Sequence, residues 1–69
     1  MDRDEFEGKW KEMRVQVKGW WGRLREDELD KTRGNAVQLI GLLQKKYGYT
    51  KVRAENEFNR RLQEVEAHP

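Results

Sequence analysis

Residues 38–50 read QLIGLLQKKYGYT and predict a corner between two helices. An apolar stripe at helical spacing runs through them; its members are Leu39, Ile40, Leu43 and Tyr47. Gly48 follows two lysines, at a position where a left-handed residue without a Cβ ends a helix at little cost. Thr50 is then placed to accept a backbone N–H and to start the next helix. We therefore predict a structural corner formed by Gly48, Tyr49 and Thr50.

A second apolar stripe predicts a long first helix over about residues 4–21. Its members are spaced four, three, four, four and three residues apart; they are Phe6, Trp10, Met13, Val17, Trp21 and Leu24. We expect the core to form from these stripes and from one on the last helix. The predicted core residues are Trp10, Met13, Val17, Trp21, Leu24, Leu39, Ile40, Leu43, Tyr47, Phe58 and Leu62.

The remaining helices are predicted from their capping residues. Asp27 is placed to N-cap a short second helix, and Gly34 to follow its end. Asn35 is then placed to cap a third helix over residues 36–47. A fourth helix is predicted to run from residue 51 to about 65. No alternating run is typical of a strand, so the fold class is all-α with four helices, one of them short.

The composition indicates one small folded domain. The chain has 69 residues, of which 35% are hydrophobic and 41% charged, and its apolar content is close to that of disordered chains. Seven aromatic side chains oppose disorder, because each can bury a large area. We expect a single domain over residues 1–69, with residues 1–3 and 66–69 frayed.

No feature of the sequence is typical of a membrane or secreted protein. The chain has no cysteine, so it forms no disulfide or thiolate metal site. Its apolar runs are too short to span a membrane. The charged N-terminal residues lack the apolar segment of a secretory signal. We therefore expect a cytoplasmic location.

The residue types needed for catalysis or metal binding do not converge in the sequence. The sole histidine, His68, is next to the last residue. The acidic cluster at 26–30 lacks the ligand spacing and glycine of a calcium loop. Thr32 and Thr50 have no histidine with which to form a nucleophilic site. We expect no catalytic residue, no cofactor and no metal, and so no enzyme.

The charge distribution argues against strong nucleic-acid binding. Residues 8–25 carry six basic side chains and one acidic side chain, with acidic clusters on either side. A basic helix between acidic flanks is typical of a self-neutralising surface. Nucleic-acid binding is therefore expected to be weak and non-specific. The three tryptophans leave two alternatives open, which are stacking on single-stranded nucleic acid and contact with an anionic membrane surface.

A distinct set of motifs extends from Gly8 to Glu55. They are Gly8-x-Trp10-Lys11, Val17-Lys18, Trp21-Gly22-x-Leu24, Asp27-x-Leu29, Gly34, Gln38-Leu39-x-Gly41-x-Leu43-Gln44, Tyr47-Gly48-Tyr49 and Ala54-Glu55. In these motifs the sequence resembles the CsbD-like family of small bacterial stress-response proteins, and the resemblance covers roughly residues 4–62. The resemblance implies a four-helix domain of two crossed helical hairpins and expression under osmotic, envelope or stationary-phase stress. It supplies no catalytic residue, so we expect a non-enzymatic protein that acts by binding or by abundance.

Three residues depart from the family pattern toward apolar side chains. Val15 stands where the family usually has glycine, and Trp20 and Leu42 stand where polar residues are usual. At 100° per residue, Leu42 falls off the apolar stripe of its helix and Val15 opposite that of the first helix. Several such residues favour a contact surface. We predict weak self-association or docking to a protein partner through Leu42, with Val15 or Trp20 joining it.

Overall fold

The computed structural model describes residues 1–67, which form five helices and no strand. The helices are α1 (Arg3–Gly8), α2 (Trp10–Trp20), α3 (Glu26–Thr32), α4 (Ala36–Tyr47) and α5 (Lys51–Ala67). The prediction of an all-α fold is confirmed. The predicted number of four helices is wrong, because the first predicted helix is two helices.

The division of the first helix lies at Lys9. Its φ of −102° and ψ of 20° depart from the helical values of about −63° and −42°. The amide of Lys9 still donates to the Glu5 carbonyl at 3.0 Å, and its carbonyl accepts from the Met13 amide at 2.9 Å. The preceding Gly8 weakens a helix locally, because it has no side chain to restrict the backbone. The kink leaves Phe6 and Met13 both buried, so apolar spacing alone does not reveal it.

The start of α3 differs from the prediction by two residues. Arg25 is the N-cap, and Asp27 lies inside the helix, so the predicted Asp27 cap is wrong. The Glu28 carboxylate reaches back and accepts a hydrogen bond from the Arg25 amide at 3.0 Å. This is the reciprocal half of a capping box, in which the acceptor belongs to the third helical residue.

Short capping contacts fix both ends of α4. The Asn35 side chain accepts from the Gln38 amide at 3.1 Å, and α4 then runs over the predicted residues 36–47. Gly48 has a left-handed φ of 69°. The Thr50 hydroxyl accepts from the Arg53 amide at 3.1 Å and caps α5. α4 and α5 therefore form a tight hairpin, and α3 packs on α4.

The core centres on a chain of five aromatic rings. Phe58 of α5 contacts Phe6 edge-on, with ring centroids 5.2 Å apart, and Trp21 at 6.3 Å in a stacked arrangement. Trp10 contacts Phe6 at 5.8 Å, and Trp20 contacts Trp21 at 5.6 Å. These separations lie in the range of favourable aromatic pairs. The rings thereby hold α1 and α2 against α5.

The buried set differs from the predicted core in six residues. The buried hydrophobic residues are Phe6, Met13, Val17, Trp21, Leu24, Leu29, Ala36, Leu39, Ile40, Leu43, Ala54, Phe58 and Leu62. The prediction omitted four of them, which are Phe6, Leu29, Ala36 and Ala54. Trp10 and Tyr47, predicted to be core, are only half-buried at its edge. Trp10 covers the backbone of Gly34, and the Tyr47 hydroxyl accepts from the Arg23 amide at 3.2 Å.

Gly34 and Gly48 both have left-handed backbones, but only Gly34 is also closely packed against another side chain. Gly48 has free space where a Cβ would lie, so Gly48→Ala should cost only the backbone strain of about 1 kcal/mol. At Gly34, with a φ of 83°, a Cβ would lie 3.0 Å from the Trp10 Cβ. We expect Gly34→Ala to lower the free energy of unfolding by more than Gly48→Ala in urea denaturation. Equal losses would contradict the packing of Trp10 on Gly34.

Candidate functional site in the groove between α3 and α4

The polar groups considered for catalysis serve the fold instead. The Thr32 hydroxyl donates to the Leu29 carbonyl at 2.7 Å and accepts from the Gly34 amide at 3.3 Å, and Thr50 caps α5. Within residues 1–67, no group of three His, Cys, Asp or Glu side chains is placed to hold a metal ion. His68 lies outside the described residues.

The three predicted contact residues line three different grooves. Val15 is 72% exposed beside a small groove between α2 and α3. Trp20 lines a groove of about 420 Å³ between α2 and α5, and the Arg61 guanidinium lies 5.8 Å from its ring centroid. Leu42 lines a groove between α3 and α4. The structure therefore does not bring Val15 or Trp20 to Leu42 in one surface.

Leu42 gives the α3–α4 groove an apolar lining. The side chain is half-buried and packs against the edge of the core, so the core covers it only in part. The groove has a volume of about 400 Å³ and is also lined by Gly41 and the buried Thr32. Exposed Lys31 and Lys45 stand beside this apolar lining. The groove thus combines an apolar lining with positive charge.

The carboxylates of this region are already paired within the chain. Glu28 Oε2 lies 2.8 Å from Lys46 Nζ, and Asp30 Oδ1 lies 2.9 Å from Arg14 Nε. The hydrogen bond from Lys46, and then that from the Arg25 amide, hold the pKa of Glu28 below its ordinary value. Glu28 therefore stays ionised and joins α3 to α4. Glu28 lines the groove, and its carboxylate is paired with Lys46 rather than with Lys31 or Lys45.

The positive charge of residues 8–25 is largely engaged. Arg14 pairs with Asp30, and Arg25 pairs with Asp27 at 3.3 Å. Lys18 donates to the Leu24 carbonyl at 2.6 Å and to the Gly22 carbonyl at 3.2 Å. Such contacts leave less free charge for phosphate groups. Weak nucleic-acid binding stays a prediction.

A stack of four side chains closes the α4–α5 corner. The Tyr47 and Tyr49 rings lie 5.4 Å apart at an interplanar angle of 29°. The Arg23 guanidinium lies 5.4 Å from the Tyr47 centroid, and that of Arg53 lies 4.2 Å from the Tyr49 centroid. Together with the hydrogen bond from the Arg23 amide to Tyr47, the stack ties the α2–α3 connection to the corner. The stack was not predicted from the sequence. Its only local signal is the Tyr47-Gly48-Tyr49 motif, and the motif does not show which arginines pack on the two rings.

Comparison with known proteins assigns the chain to a family. The CsbD-like family model matches residues 4–56. The chain belongs to the CsbD-like family. The resemblance read from the sequence motifs is thereby confirmed.

Relatives of this CsbD-like protein occur in several bacteria. The UPF0337 protein of Bordetella pertussis is 47% identical over 83% of this chain and 86% of its own length. The UPF0337 protein of Pseudomonas aeruginosa is 44% identical over 83% of this chain and 88% of its own. UPF0337 protein YjbJ of Escherichia coli K12 is 42% identical over 83% of each chain. No solved structure gives a significant match.

None of the helices within residues 1–67 combines the length and the apolar character that a membrane span requires.

The Glu28–Lys46 pair predicts a specific pH dependence of stability. The pKa of Glu28 is lowered in the folded chain from an ordinary value of 4.5. The stabilisation is therefore complete above the unfolded-state pKa and is lost as the pH falls through the lowered folded-state pKa. We expect Glu28→Gln to lower the urea midpoint at pH 7, and the difference from the unsubstituted chain to shrink at pH 3.

The matched control for this prediction is Glu55→Gln. Glu55 forms no ion pair among the residues the structure describes. The urea midpoint of Glu55→Gln should therefore follow that of the unsubstituted chain at both pH values. A Glu28→Gln deficit that is the same at pH 3 and pH 7 would contradict the electrostatic origin of the effect.

Proposed function

We propose that this CsbD-like protein is a non-enzymatic, cytoplasmic stress-response protein that acts by binding a protein partner through the α3–α4 groove. The observation that carries the proposal is the combination of Leu42 with Lys31 and Lys45 around one concave site. A groove between two helices that has an apolar lining and a polar rim is typical of sites that accept a protein segment.

The presence of glycine at position 41 favours a role in binding rather than a role that depends on abundance alone. A glycine inside a helix costs roughly 0.5–1 kcal/mol relative to alanine. No atom lies within 4 Å of where its Cβ would be, so the packing of the folded chain does not require glycine there. Because Gly41 lines the groove, its missing side chain leaves the α4 backbone open to an approaching partner.

The proposal is tested by stress survival of a strain that lacks the gene. We expect survival of osmotic shock or stationary phase to fall, and to be restored by the unsubstituted chain. Leu42→Lys should fail to restore it, because a charge replaces the apolar lining of the groove. Val15→Lys should restore it, since Val15 is exposed in a different groove.

Protein levels and urea midpoints of both variants separate loss of binding from loss of folding. Full rescue by Leu42→Lys at normal protein level would contradict binding through the groove. Normal survival of the deletion strain under these stresses would contradict the stress-response role.

A further inference from the structure

We propose that the α3–α4 groove binds an acidic segment of the partner protein, with an apolar side chain against Leu42 and carboxylates beside Lys31, Arg33 and Lys45. The proposal rests on the proposed function, because it names the chemistry of the partner at the same site. It follows from the distribution of unpaired charge over the chain.

Most basic side chains of the described residues have an intramolecular partner. Arg60 and Arg61 pair with glutamates of α5, Lys9 pairs with Glu5, and Arg3, Arg23 and Arg53 lie over aromatic rings. Five basic residues within 1–67 have no such contact; they are Lys11, Lys31, Arg33, Lys45 and Lys51. Three of these five residues line the α3–α4 groove or the depression next to it; they are Lys31, Arg33 and Lys45.

The unpaired cations follow one elongated depression. The groove beside Leu42 shares Lys31, Thr32 and Gln38 with a neighbouring depression that extends to Arg33. Lys45 stands toward one end and Arg33 toward the other. An elongated site with cations along it suits a chain segment that carries several carboxylates.

The acidic side chains near the groove do not cancel this charge. Glu28 lines the groove but is paired with Lys46, and Asp30 lines the neighbouring depression but is paired with Arg14. Glu7 also lines the neighbouring depression and is exposed, so it offsets part of the positive charge there, but it does not line the groove beside Leu42. The groove beside Leu42 therefore presents unpaired positive charge, which attracts an acidic partner and repels a basic one.

Arg33 adds a third unpaired cation, at the end of α3. Its φ of 52° is left-handed, a region that glycine or asparagine enters with less strain. The residue is exposed and forms no ion pair, side-chain hydrogen bond or cation–π contact with another described residue. Arg33 is the C-cap of α3, so its left-handed backbone ends that helix while its side chain is left without an ion-pair partner.

The lining of the groove favours a protein segment over other anions. Leu42 and Gly41 provide apolar contact, and no aromatic ring lines the groove or its continuation to stack on nucleic-acid bases. The cations border a concave site between two helices, whereas a flat membrane surface reaches mainly convex parts of a protein.

The test uses fluorescence anisotropy with a labelled amphipathic peptide that carries leucine and glutamate four residues apart. The comparison peptide has glutamine in place of each glutamate. We expect the acidic peptide to bind at least roughly tenfold more tightly at low salt, with the difference shrinking as salt is added. Equal affinity of the two peptides would overturn the proposal.

Two double variants with the same change of charge locate the binding. Lys31→Glu with Lys45→Glu should abolish the preference for the acidic peptide. Lys11→Glu with Lys51→Glu alters the two unpaired lysines outside the groove. This double variant should keep the preference for the acidic peptide. An equal loss in both double variants would show attraction to the overall charge and would overturn the groove as the site.

Two glycine variants test the apolar contact without reversing a charge. Gly41→Ala and Gly19→Ala each add a Cβ inside a helix where no atom lies within 4 Å. Both should raise the urea midpoint. Only Gly41→Ala should weaken peptide binding, by several-fold, because Gly41 alone of the two lines the groove. Unchanged binding by Gly41→Ala would overturn the placement of the partner's apolar side chain.

Vesicles that contain phosphatidylglycerol distinguish a lipid headgroup from an acidic protein segment. Binding to these vesicles that depends on Lys31 and Lys45, without binding of the acidic peptide, would overturn the proposal in favour of a membrane ligand. If stress survival requires Leu42 while the acidic peptide does not bind, the proposed function stands and the acidic chemistry is wrong.

Discussion

The ring of Phe58 lies where α1, the end of α2 and α5 meet, and it joins the two N-terminal helices to the last one. It packs against Phe6 and Trp21, and all three side chains are buried. Truncating such a ring to alanine typically costs roughly 3–5 kcal/mol. Domains are stable by only about 0.05–0.15 kcal/mol per residue, so one aromatic contact is a large share of the stability of a 69-residue chain.

Because the core is small, apolar and charged residues stabilise different parts of the structure. Aromatic rings join the helices, while ion pairs and cation–π contacts such as Lys46–Glu28 and Arg53–Tyr49 fasten their edges. A chain with 41% charged residues engages most of its cations in this way. Three of the five cations that stay unpaired within residues 1–67 line the α3–α4 groove or the depression next to it, close to Leu42. That contrast, rather than any reactive group, is the basis for a role in binding.

Local capping made α4 predictable, whereas contacts between distant residues did not follow from the sequence. Asn35 caps α4 over the predicted bounds because its acceptor needs only the amide three residues later. The Arg25 cap was missed because its acceptor belongs to Glu28. Leu42 was identified as unusual from the helical wheel, but its cationic surroundings come from α3 and from the left-handed Arg33. Sequence spacing does not reveal which cations remain unpaired after folding.

Native-state hydrogen exchange of Phe58→Leu tests most directly whether the aromatic contact holds all the helices together. Leucine keeps an apolar side chain but loses the ring contacts with Phe6 and Trp21. Because these contacts join α1 and α2 to the α4–α5 hairpin, the amides of α2 and α4 should lose protection together and by a similar factor. Wild-type protection in α4 with loss confined to α2 would contradict this account.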